Sequence, residues 1–289
     1  MSLLNVIVLA IVQGLAELLP VSSSAHVVVA EKLMGLDPSS PPMTLLLVML
    51  HTGTMFAVIV YFWRQWRGTY FQSAVAFKGI AVRVITATAL TAVVGEISIK
   101  IIEHTLLRGQ RHSEIEDLFS HLEFIAPALA AAGVLILTAG LLEKRRSAPG
   151  SARDADELTV TRAGIIGTVQ GLCLPFRGLS RSGATISTGM LLGVAKARAE
   201  TFSFALAVVI TPPVVFREVT RLLRAPHMSG GTLVSVALLS VLGAALAFLA
   251  GVVALRWLSD WLEKGRWYLF GIYCLIASAA VAYLHGIGY

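Results

Sequence analysis

Charge is scarce in this chain. Only 14% of its 289 residues are Asp, Glu, Lys or Arg, against 56% hydrophobic, a balance that would coat a soluble globule of this size in apolar surface. Water is therefore not the solvent of its outer face. Cysteine is nearly absent too. Cys173 and Cys274 both sit in apolar segments with no partner spacing, which suggests neither a disulfide framework nor a metal cluster. Met1 to Val12 resembles a short signal sequence but lacks a basic leading region, and a polar motif follows where a cleavage site would lie; it is expected to stay in the mature protein. The net charge of +6 is spread over short inter-helix loops rather than gathered on one face, so orientation in a membrane accounts for it better than a nucleic-acid partner.

Long apolar runs are what the chain has instead. Met43 to Phe62, Phe124 to Leu142, Thr232 to Leu255 and Trp267 to Leu284 each approach or exceed the roughly 18 residues needed to cross a hydrocarbon core. Ile80 to Ile99, which carries Arg83 and Glu96, and Phe202 to Phe216, which carries Pro212 and Pro213, are read as two further spans, the proline pair as a kink. The expectation is an all-α polytopic membrane protein of about six spanning helices.

Basic residues set the orientation. Arg64, Arg67, Lys78 and Arg83 occupy one loop, and Lys144, Arg145, Arg146, Arg153 and Arg162 another, so both are expected in the cytoplasm. Lys100 to Glu123, richer in acids, is expected outside. Arg217, Arg221 and Arg224 would then also lie outside, the one dissent from the positive-inside tendency. With Met43 to Phe62 running inward, residues 1–42 begin and end outside and can enter the membrane only as a hairpin that turns back. Ala163 to Leu174 should enter likewise from the inside.

The two halves share wording. Val12-Gln13-Gly14-Leu15, then a proline and a serine-rich stretch, returns as Val169-Gln170-Gly171-Leu172, then Pro175 and more serines. One membrane domain over residues 1–289 is expected, with repeat one at 1–146, a cytoplasmic linker at 147–156 and repeat two at 157–289. Each repeat comprises a re-entrant helical hairpin plus three spans, and the two are inverted in topology. Broken apolar segments at corresponding places point to a midplane site.

The first hairpin carries Gln13, Glu17, Pro20, Ser22, Ser23, Ser24 and His26 within an otherwise apolar stretch. Such groups are costly in lipid and persist where they face a hydrated cavity, pair with each other or serve a substrate. The serines are good N-caps for a helix after Pro20, whose first amides would attract an anion. The second hairpin reads Pro175-Phe176-Arg177-Gly178-Leu179-Ser180-Arg181-Ser182-Gly183-Ala184-Thr185. Arg181, whose guanidinium fork matches phosphate oxygens, is the strongest phosphate-ligand candidate. This inventory fits phosphoryl transfer: arginine neutralises phosphate, Glu17 either holds a divalent cation or acts as base, and His26 or Ser23 acts as nucleophile or proton donor. With no aspartate pair in either motif, any metal would be hard, oxygen-bound and shared with substrate phosphates. Lesser candidates are His51 and Thr52, Glu96 with Lys100 at i, i+4 spacing, and Glu200, while Tyr61 to Trp66 and Trp257 to Trp267 read as interfacial aromatic belts.

The two motifs resemble those of the bacterial undecaprenyl pyrophosphate phosphatase family, the bacitracin-resistance type. Gln13, Glu17, Pro20 to Ser23 and His26 match its first motif, and Gly178, Ser180, Arg181, Ser182 and Thr185 its second. The resemblance covers nearly the whole chain. It implies an enzyme that removes the terminal phosphate of undecaprenyl pyrophosphate, recycling the lipid carrier of cell-wall synthesis and giving bacitracin resistance. It also implies a place in the bacterial inner membrane with the site open to the periplasm, a divalent cation (Mg²⁺ or Ca²⁺) at Glu17, bacitracin competing for the same lipid, and room for a homodimer. By the same resemblance Glu17, His26, Ser23 and Arg181 serve catalysis or pyrophosphate binding. Gln13, Ser22, Ser24, Arg177, Gly178, Ser180, Ser182 and Thr185, from the two motifs and their turns, are the candidates for binding substrate, with contact to the cytoplasmic headgroups the other reading of Arg177. Two departures stand out: Gln13 is the neutral option at an acidic position, and Arg177 replaces the proline before Gly178. The rival reading is a transporter or flippase for the prenyl phosphate carrier, since inverted repeats with broken helices are transporter architecture.

Overall fold

The computed structural model describes residues 2–37, 40–106, 122–146, 157–224 and 230–288. The expected linker at 147–156 and most of the acidic loop lie outside them. Among the described residues ten α-helices form and no strand: α1 (Leu3–Leu18), α2 (Ser23–Leu33), α3 (Pro41–Thr69), α4 (Ala74–Leu106), α5 (Leu122–Arg146), α6 (Val160–Cys173), α7 (Arg181–Leu191), α8 (Lys196–Arg224), α9 (Gly230–Glu263) and α10 (Tyr268–Gly286).

Local sequence explains where they start. Ser2 caps α1 by accepting from the Asn5 amide at 3.2 Å, Thr159 caps α6 by accepting from Arg162, and Pro41 and Pro42 occupy the first positions of α3, where their missing N–H groups are not needed. Five helices, α3, α4, α5, α9 and α10, are long and apolar enough to cross a membrane. This is a multi-pass, all-helical membrane protein. The sixth expected span lies in α8, whose 29 residues would reach about 43 Å at 1.5 Å per residue; Pro212 and Pro213 fall inside it without ending it. By contrast α1, with 16 residues, and α6, with 14, rise about 24 and 21 Å, short of a hydrocarbon core of roughly 30 Å.

The helices outrun the apolar runs that revealed them. Arg64 and Arg67 lie within α3, Lys78 and Arg83 within α4, Arg217 to Arg224 within α8 and Arg256 within α9, so residues that read as loops are helical extensions. Hydropathy finds the stretch matched to lipid, whereas the helix continues until capping or backbone chemistry stops it.

The short helix pairs pack across the halves. α1 lies against α9, α6 against α4, α3 against α9 and α10 against α5. Glycine permits the first two contacts. A Cβ on Gly14 would stand 2.6 Å from Ala250 Cβ and 2.8 Å from the Ala247 carbonyl, and one on Gly171 would stand 2.8 Å from the Thr91 carbonyl. The recurring Gln-Gly pair is thus a backbone-contact device used twice. Beneath it the core is apolar: Leu9, Leu46 and Leu50 are fully buried around α1, α3 and α9, and Ile125, Leu129, Ile136, Ile166 and Ile186 around α5, α6 and α7. Not every tryptophan of the expected belts faces outward. Trp63 and Trp257 are exposed, but Trp66 and Trp267 are buried, with the Trp267 indole donating to Ser187 Oγ at 3.0 Å.

Candidate functional site

Gln13 and Glu17 stand four residues apart on one face of α1, and the Gln13 amide donates to Glu17 Oε2 at 3.1 Å. The helix ends before Pro20, and the chain reverses through Ser22, a non-glycine residue with a φ of 69°. That left-handed backbone is strained for serine and is held by its surroundings. It throws α2 back so that Ser23 Oγ donates to Glu17 Oε2 at 2.5 Å. Ser22, at the N-cap, makes no side-chain cap, leaving first-turn amides of α2 without that partner and so with capacity for an anion.

The second turn is built differently. Gly178 has a φ of 111°, and a Cβ there would stand 2.5 Å from the Ile125 carbonyl, so both conformation and space demand glycine. Ser180 caps α7 by accepting from the Gly183 amide at 3.2 Å. Arg181, the first residue of α7, then reaches across to the first hairpin, its Nη2 donating to Glu17 Oε1 at 2.7 Å. Its Nη1 is buried with no hydrogen-bond partner.

Glu17 and Arg181 line a small open cleft whose apolar wall includes Leu18, Met55, Val58 and Val208. His51 of α3 lines it as well, its Nε2 at 3.8 Å from Glu17 Oε2. The His51 Nδ1 is 2.8 Å from the Leu47 carbonyl, an atom that only accepts, so Nδ1 carries the proton and Nε2 faces the cleft.

The candidate residues therefore divide. Gln13, Ser23 and Arg181 gather on Glu17. His26 turns to α10 instead, its Nδ1 donating to the Ser22 carbonyl and its Nε2 2.7 Å from Tyr273 Oη. Ser22 and Ser24 face each other at 3.3 Å. Ser182 Oγ donates to the Leu19 carbonyl at 3.4 Å, tying the two turns together. Thr185 pairs with Ser203 of α8 at 2.6 Å. Arg177 lies within electrostatic range of Glu31 on α2, whose buried Oε1 has no hydrogen-bond partner. Of the lesser candidates, Glu96 pairs with Lys100 at 3.1 Å and Glu200 accepts from Ser259 at 2.7 Å.

No group of three or more His, Cys, Asp or Glu side chains suited to a metal occurs among the described residues. The donor set fits a cation in one way only. A single carboxylate already balanced by a guanidinium cannot cage an ion, but it can share one with phosphate oxygens.

A family model described as "Bacitracin resistance protein BacA" matches residues 6–280. The chain belongs to this family. It is 55% identical over 285 residues to "Undecaprenyl-diphosphatase 2" of Acinetobacter baylyi, covering 97% of each chain. It is also 34% identical to "Undecaprenyl-diphosphatase" of Desulfatibacillum aliphaticivorans and 35% identical to the protein of that name from Desulfosudis oleivorans, in both cases over 96% of this chain and 97% of the relative.

Proposed function

We propose that the cleft takes the pyrophosphate head of undecaprenyl pyrophosphate. As an undecaprenyl-diphosphatase, the enzyme hydrolyses this lipid to undecaprenyl phosphate and inorganic phosphate, the activity behind bacitracin resistance. The observation that carries the proposal for the cleft is Arg181. One arm of its fork is fixed on Glu17 while Nη1 is buried without a partner, and a buried cationic donor left open is a place for a phosphate oxygen.

In this reading Arg181 neutralises charge that gathers on the bridging oxygen as the bond to the terminal phosphorus breaks, and water forms the new bond, either directly or by hydrolysing a phosphoryl group first taken up by Ser23 or His26. Glu17 holds the Arg181 fork in register and accepts a hydrogen bond from Ser23, which places a hydroxyl beside a carboxylate able to take its proton. Gln13 fixes the carboxylate from the other side. A divalent cation, Mg²⁺ or Ca²⁺, held by Glu17 together with the phosphates, supplies further neutralisation when bound. Ser24, Ser180, Ser182, Thr185 and Gly178 shape the two turns around the head group, and the apolar wall of Leu18, Met55 and Val58 suits the first prenyl units.

We place the protein in the bacterial inner membrane, the hairpins re-entrant and the site open to the periplasm, with bacitracin sequestering the same lipid and a homodimer as the assembly to be sought. A transport role is favoured by one observation, the corresponding packing of α1 on α9 and of α6 on α4, which matches the inverted-repeat plan.

The test is phosphate release from a C55 prenyl pyrophosphate in detergent, with EDTA or with added Mg²⁺ or Ca²⁺, for wild type, His26→Ala and Arg181→Ala. Metal-stimulated release lost in both variants supports the assignment. No release from a folded wild type that still binds the lipid would overturn it and leave transport.

A further inference from the structure

His26 is held at both ring nitrogens. The Ser22 carbonyl, 2.7 Å from Nδ1, can only accept, so Nδ1 carries a proton and the neutral ring has its lone pair on Nε2. Among the described residues the side chain at that lone pair is Tyr273, its Oη 2.7 Å away, so the phenol donates and the imidazole accepts. The two rings lie 13° from parallel with centroids 5.7 Å apart. The neighbouring residue reaches the same turn, Cys274 Sγ donating to the Pro20 carbonyl at 3.4 Å. Two consecutive residues of α10, the last helix of the second half, therefore grip the turn of the first hairpin at its strained end, next to Ser22 with its φ of 69°.

Packing alone does not account for this. Tyr273 is 46% exposed on a helix long and apolar enough to cross a membrane. A phenol hydroxyl turned outward there would meet lipid without a partner, so the bond to His26 satisfies the hydroxyl as well as orienting the imidazole. What the contact does is settle the tautomer and the rotation of one imidazole.

We propose that Tyr273 is the positioning residue of His26, fixing which nitrogen carries the lone pair and where it points. This rests on the reading of His26 as a residue of the phosphatase reaction. Loss of the hydroxyl frees the ring to rotate about a single remaining bond, and a misdirected proton-transfer group slows the chemical step more than it weakens binding.

Two measurements on full-length protein in detergent test this. In protein carrying ¹⁵N-histidine, with His26 assigned by its disappearance in His26→Ala, wild type should show Nδ1 protonated and Nε2 hydrogen-bonded, and Tyr273→Phe should shift the Nε2 resonance. In steady-state phosphate release, Tyr273→Phe should lower kcat about 10- to 100-fold with KM within about twofold, while the thermal midpoint stays near wild type because the ring remains. Tyr273→His, which restores a donor on a ring, should recover part of the rate. An unchanged Nε2 resonance overturns the geometry. A shifted resonance with unchanged kcat, in a protein that His26→Ala inactivates, overturns the positioning role and leaves the phosphatase reading intact. Full activity in His26→Ala removes His26 from the reaction, and Tyr273 with it.

Discussion

Arg181 Nη2 and Glu17 Oε1 stand 2.7 Å apart across 164 positions of sequence. The pair joins the two hairpins at the mouth of the cleft, with side chains only 20% and 16% exposed. Removing one member leaves the other charge without its counter-ion in a poorly hydrated place. Arg181→Ala should therefore lower stability by about 2 to 3 kcal/mol as well as abolish phosphate release. Adding Glu17→Gln should restore much of the thermal midpoint and none of the activity. Arg181→Lys should keep the fold yet lose about a hundredfold in rate, since an ammonium cannot engage carboxylate and phosphate with one rigid fork. Thermal unfolding in detergent alongside phosphate release separates the two effects.

His51 presents Nε2 to the same carboxylate from α3. His51→Ala should lower kcat/KM about tenfold, about 1.4 kcal/mol of transition-state stabilisation, with little change in thermal midpoint because the side chain is 44% exposed. Unchanged kinetics would make His51 a bystander of the cleft wall.

At Gly14 an added Cβ meets α9 backbone at 2.8 Å. Gly14→Val should cost about 2 to 3 kcal/mol through forced separation of α1 from α9. Gly68→Ala, where no atom lies within 4 Å, should be neutral or stabilise by up to about 1 kcal/mol. Thermal midpoints of the two variants make the comparison.

Thr185 Oγ1 and Ser203 Oγ, 2.6 Å apart and buried, bind α7 to α8. Ser203→Ala and Thr185→Val should each cost about 1 kcal/mol, and together less than the sum, because the second change removes a group the first had already stranded. A double-mutant cycle on unfolding measures the coupling.

Much of this was legible in the sequence because lipid penalises polarity so heavily. Glu17, Ser23 and Arg181 stand out in apolar surroundings, and the structure brings them together. The helices followed from apolar length, yet their ends did not. Hydropathy has no term for a charged helical extension such as Lys78 or Arg83 on α4. His51 was visible only as a lone polar residue in a span, and which face of α3 meets the cleft depends on packing. The direction of His26 was hidden for a different reason. It follows from the backbone angle at Ser22 and from Tyr273, 247 positions away. Arg177 looked like a departure in isolation, and only the fold brings it within electrostatic range of the Glu31 carboxyl. Trp66 and Trp267 share the belt composition of Trp63 and Trp257 but face inward, a distinction that composition cannot make.

The two short helix pairs differ in when their partners exist. α6 lies against α4, a helix already synthesised when α6 emerges, so the second hairpin can dock as it is made. α1 lies against α9, which leaves the ribosome more than 200 residues later, on the order of ten seconds or more at roughly 5–20 residues per second. Until then Gln13, Glu17 and Ser23 lack the α9 groove, and until the second hairpin is made they lack Arg181 as well, so a polar hairpin must wait inside the insertion machinery or at the bilayer surface. The first hairpin is therefore the point at which biogenesis of this enzyme is most easily derailed. Mutations at the Gly14 crossing should trap a half-assembled chain rather than merely weaken a finished one.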